Sequence, residues 1–139
     1  MIVVDDRLSL EVLAGRRDAL NVGRSEAIAT TWGFHYRLVR AVTDDARGGA
    51  LSSAVPAAAR ARVIAPPLDE LMVLDPRPIT ELAAQLAARH GLNLLAAEVT
   101  ASALHHRARV MLSAGNVGRT WPDVFEAEGI ELTVQARPG

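Results

Sequence analysis

The apolar positions fall into two kinds of run. Short unbroken ones occur at Ile2-Val3-Val4, Leu71-Met72-Val73-Leu74 and Val110-Met111-Leu112. Apolar runs of this length without alternation mark strands covered on both faces. Other stretches repeat apolar residues at helical spacing. Phe34, Leu38, Ala41 and Val42 stand at i, i+4, i+7 and i+8, one stripe of a helix over 32–42 that Thr31 can cap. Ile79, Leu82, Ala83, Leu86, Ala87 and His90 make the clearest apolar face, and Gly91 stops that helix where a left-handed residue is expected. Asn93 caps a second helix running to about His106. Further helices are predicted over 8–14, 51–64 and 121–128, and further strands over 26–31 and 130–134. Residues 16–25 read as a connection and 44–49 as a turn.

Strands and helices thus alternate from end to end. That order predicts an α/β fold, a three-layer α/β/α sandwich on a mostly parallel sheet of about 4 or 5 strands. The 139 residues fit one domain, expected over 1–135, with 136–139 a frayed tail. Apolar residues are 50% of the chain and aromatic residues only 4%, so the core is aliphatic. There is no Cys, which excludes disulfides, thiolate metal sites and Cys nucleophiles. No apolar run approaches the ~20 residues of a membrane span. With no leader pattern at its start, the chain is expected in the cytoplasm.

Formal net charge is −1, which does not announce a nucleic-acid binder. All 15 basic residues are Arg. A GC-rich genome explains this simply; planar recognition of phosphate is the functional reading. Mechanisms that need Lys are excluded in either case.

The candidate chemistry starts at Asp5 and Asp6, two carboxylates at the carboxyl end of the first strand. Ligands of open α/β sheets bind at that edge. Carboxylates there also cap the following helix, and Asp6 is expected to point away from Asp5 if the strand continues. A receiver domain of response regulators also opens on paired acids, but its pattern requires a Lys that this chain lacks.

Four segments resemble the PIN domain, the fold of the VapC-type ribonucleases of bacterial toxin–antitoxin pairs. They are Ile2-Val3-Val4-Asp5 with the helix after it, the helix and turn over 82–94, Val110-Met111-Leu112-Ser113-Ala114, and Gly129-Ile130-Glu131-Leu132. The resemblance implies a rim of about four acids holding Mg²⁺ or Mn²⁺, hard cations that take oxygen ligands and offset phosphodiester charge. It also implies a homodimer, an antitoxin-like protein partner and RNA as substrate. Carried over residue by residue, only the first acid is present, as Asp5, with Asp6 beside it. The second falls among His35, Tyr36 and Arg37, the third on Ala96 with Glu98 half a turn further on, and the fourth on Gly115, followed by Asn116.

The expectation is therefore a PIN-like protein whose acidic site has degenerated. It would be a pseudoenzyme acting by binding protein or RNA, with no cofactor. The alternative is an active Mg²⁺-dependent endoribonuclease on a reduced site. Its catalytic candidates are Asp5 and Glu98, and its metal candidates Asp5, Asp6 and Asn116. Arg37 and Arg40 stand where such an enzyme wants an acid, and a guanidinium there can replace the metal by an internal ion pair. Trp32 and Trp121 can stack bases, but with so few aromatics both are assigned to core or interface.

Overall fold

Five parallel strands form one sheet in the order β3-β2-β1-β4-β5. The computed structural model describes residues 1–44 and 57–136. The strands are β1 (Ile2–Val4), β2 (Ile28–Thr31), β3 (Met72–Leu74), β4 (Arg109–Ser113) and β5 (Leu132–Gln135). The helices are α1 (Asp6–Leu13), α2 (Trp32–Thr43), α3 (Ala57–Ile64), α4 (Thr80–His90), α5 (Leu94–His106) and α6 (Trp121–Ala127). The N-terminal part of the helix expected over 51–64, the turn beyond Asp44 and the last three residues lie outside the described residues.

Alternation along the central strands divides the side chains between two cores. Ile2, Val4, Ile28 and Met111 pack with Leu8, Val12, Leu38, Val42 and Val63 of α1, α2 and α3. Val3, Ala29, Val110 and Leu112 pack with Ala96, Val99, Trp121 and Phe125 of α5 and α6. This is the three-layer sandwich. Ala96 through Ala103 are all buried, because α5 lies between the sheet and α4, which packs on it through Leu86 and Ala101. A helix covered on both sides must be small or apolar all round. Thr100 meets that demand by donating its hydroxyl to the Ala96 carbonyl at 2.6 Å.

Thr31 and Asn93 cap their helices as expected, each accepting from the backbone N–H three residues on. Gly91 ends α4 in the left-handed region at φ 67°, a position Gly occupies at little cost. The run over 71–74 differs from its sequence reading. Its lack of alternation suggests burial on both faces, yet β3 is an edge strand with Met72 exposed and Val73 half-buried. Among the described residues, no helix is long and apolar enough to cross a membrane.

The strand order fixes where a site can form. The chain runs outward from β1 through β2 to β3, then returns to place β4 on the other side of β1. The carboxyl ends of β1 and β4 therefore flank the switch point, where loops diverge and leave a crevice. Asp5 follows β1, and Asn116 ends the 3₁₀ turn Ala114–Asn116 after β4.

Candidate functional site

Asp5 is fully buried. It ends β1 in an extended conformation and is the N-cap of α1, its Oδ1 accepting from Leu8 N at 2.9 Å. Three more donors reach the same carboxylate from the β4 side. Ser113 N is 2.7 Å from Oδ2, Ser113 Oγ 3.2 Å from Oδ1, and Asn116 Nδ2 2.8 Å from Oδ2. A carboxylate offers about four lone-pair positions, and Asp5 has four donors. Its burial is tolerable for that reason.

Asp6 differs from the sequence expectation. The strand does not continue past Asp5. The chain turns at once into α1, so Asp6 is that helix's first residue and its carboxylate swings toward the same crevice. It accepts from Arg7 N at 3.0 Å and from Asn116 Nδ2 at 2.9 Å. Arg37 grips it with two bonds, Nε to Oδ2 at 2.7 Å and Nη2 to Oδ1 at 3.1 Å. Asp6 also has four donors.

Arg37 and Asn116 complete the cluster. Arg37 Nη2 donates to Asn116 Oδ1 at 2.8 Å, and the guanidinium lies 5.4 Å from the centre of the Phe34 ring. The orientation of the Asn116 amide follows from its neighbours: carboxylates on one side need donors, and a guanidinium on the other needs an acceptor. One Asn116 Nδ2 thereby joins both carboxylates, the place a cation would take between them. The hydrogen bond to Asp6 holds the Arg37 guanidinium above its ordinary range, aided by Coulombic attraction from Asp6 and Asp5 and opposed by burial. Two carboxylates against one guanidinium leave the cluster at −1.

The structure thus brings Asp5, Asp6 and Asn116 together and leaves Glu98 elsewhere. Glu98 is buried, and its Oε1 accepts from Gly33 N at 2.7 Å, so it caps the start of α2 beside the Thr31 cap. Among the described residues no group of three or more His, Cys, Asp or Glu is placed to hold a metal ion. Arg40 stays exposed and does not join the cluster. Ser113 is a partner the sequence reading missed. Its signal is only its position after a buried run, and that run's adjacency to β1 emerges in the folded sheet.

Trp121 is core, edge-on to Phe125 with ring centres 6.5 Å apart. His105 and His106 meet edge-on, and His106 is held below the usual histidine range, mainly by burial and then by His105. His90 Nε2 and Arg89 Nη1 both meet Glu128 Oε1, at 2.7 and 2.8 Å. Those bonds, chiefly the one from His90, hold Glu128 below the usual carboxylate range.

No family model matches the sequence, and no curated protein does. The fold has a solved counterpart. A chain of a toxin–antitoxin complex from Klebsiella pneumoniae superposes with a TM-score of 0.51 at 16% identity, over 80% of this chain and 84% of that one. At that identity the likeness is one of fold.

Proposed function

We propose that this chain is a PIN-like, non-catalytic relative of toxin–antitoxin ribonucleases, in which a guanidinium and an amide stand where the metal would be. One observation carries the reading: Asp5 and Asp6 present four oxygens to the crevice, and eight N–H or O–H contacts from this chain fill them. A divalent ion would have to displace Arg37 and the Asn116 amide to reach two ligands, and would then lack the further acids that hard cations require. The residues present do not fit a Mg²⁺ or Mn²⁺ centre. The active-enzyme alternative needs Glu98 beside Asp5, and Glu98 is engaged at Gly33.

The cluster instead acts as a structural clamp, tying the start of α1, the second turn of α2 and the turn after β4 into one unit. Function then lies in binding. The fold likeness to a chain of a toxin–antitoxin complex supports an antitoxin-like partner; a homodimer, RNA as a second ligand class and a cytoplasmic location belong to the same proposal and are not carried by that likeness. The deciding experiment incubates purified protein with structured and single-stranded RNA in Mg²⁺ or Mn²⁺. No cleavage above that of an Asp5→Asn variant is expected. Metal-dependent cleavage that Asp5→Asn abolishes would overturn the proposal.

A further inference from the structure

The solvent face of α2 carries chemistry that the Asp5 cluster leaves unused. Trp32, Tyr36 and Arg40 recur every four residues, which places them in one row on a helix. Trp32 is 49% exposed and Tyr36 52%. Their rings stack in water, 5.3 Å apart and 14° from parallel. Leu94, the first residue of α5, is 75% exposed. Its neighbour Leu95 comes within 3.1 Å of where a Cβ on Gly33 would stand, so the starts of α2 and α5 adjoin. Arg40 pairs with no acid among the described residues, and α2 itself contains none.

We propose that this row is where two copies of the chain associate, α2 against α2, about a twofold axis at Tyr36. The row is complementary to itself. At 1.5 Å per residue, Trp32 and Arg40 stand about 6 Å to either side of Tyr36. An antiparallel second helix sets each Arg40 opposite the partner's Trp32, a guanidinium against an indole face, twice over. Arg40, without an acid among the described residues, and the face of Trp32 turned away from Tyr36 each find a partner in a second copy. Single-stranded nucleic acid would also stack on the rings, but it needs a track of cations along its phosphates. α2 offers Arg40 alone, because Arg37 is committed to Asp6.

The inference rests on the homodimer part of the proposed function and deepens it. Cleavage and metal assays read the Asp5 cluster and not this face, and a dimer indifferent to the substitutions below would fail the inference while leaving the homodimer standing. The test is sedimentation velocity on the full chain over a concentration series. A reversible dimer is expected. Trp32→Ala and Arg40→Glu should each raise its Kd about tenfold or more, whereas Leu68→Ser, at another exposed apolar residue, should leave it unchanged. Both test positions are on the surface, and circular dichroism checks that the variants fold. A wild-type monomer at every concentration overturns the proposal, as does a dimer indifferent to both substitutions. A monomer whose tryptophan emission is quenched by a uridine oligonucleotide at low salt would assign the row to nucleic acid instead.

Discussion

Replacing Arg37 with Met removes the charge that lies over the Phe34 ring together with its three hydrogen bonds. Asp6 Oδ2 and Asn116 Oδ1 then lose the donors that Arg37 gave them, and two carboxylates share Asn116 Nδ2 without a cation nearby. Breaking a buried pair from one side costs about 3–5 kcal/mol, and an exposed pair is worth about 1 or less. The Asp6 side chain is 14% exposed and that of Arg37 43%, so water recovers part of the loss, and a cost of about 2 kcal/mol follows. For a domain of this size that lowers Tm by about 7 °C. Urea unfolding of wild type, Arg37→Met and Arg37→Lys measures it. Lys should fall between the other two, because a point charge cannot reproduce the fork. The vacancy should also admit a cation: Mn²⁺ at ten times a weak Kd returns about 1.4 kcal/mol to Arg37→Met. If Arg37→Met lies within about 0.5 kcal/mol of wild type and ignores Mn²⁺, the clamp reasoning is wrong.

Two further predictions concern other elements. A Cβ at Gly33 would stand 2.7 Å from Glu98 Oε1 and 3.1 Å from Leu95 Cδ2, so Gly33→Ala should destabilise by about 1 kcal/mol; in a Glu98→Ala background the same change should be neutral or better, since Ala is the stronger helix former. The Glu128 carboxyl is held down chiefly by His90 and then by Arg89, so its stabilising contribution is present above its unfolded value near 4.5 and is lost as pH falls through the lower folded one. Glu128→Gln should therefore cost no more than about 1 kcal/mol at neutral pH, with wild type and variant converging in acid when followed by thermal melts.

The layers of this fold were legible because burial writes itself into local pattern. Ile2-Val3-Val4 and Val110-Met111-Leu112 lack alternation because two helical layers cover them, and Thr31, Gly91 and Asn93 mark helix ends through bonds made within a turn of the chain. The candidate site was legible only in part. Asp5, Asp6 and Asn116 could be named from their places after strands, and Arg37 from its place on the helix after the second strand. Which of them meet depends on β4 lying beside β1, a pairing more than a hundred residues apart in sequence. For the same reason nothing local in the sequence marks Ser113 as a partner of Asp5 or Glu98 as the acceptor of the Gly33 amide. Asp6 was misdirected because extended geometry was carried one residue too far. Met72 shows the matching limit for strands, since an edge strand can be as apolar as a central one.

The central claim is that the crevice at the switch point is closed by Arg37 and Asn116 rather than held open for a metal. Titration of Mn²⁺ into the wild-type protein, followed by the electron paramagnetic resonance of the free ion, tests it most directly. The account predicts that the free signal grows from the first addition, with no stoichiometric uptake, and that Arg37→Met binds Mn²⁺ where wild type does not. Uptake of one Mn²⁺ per wild-type chain, lost in Asp5→Asn, would contradict it.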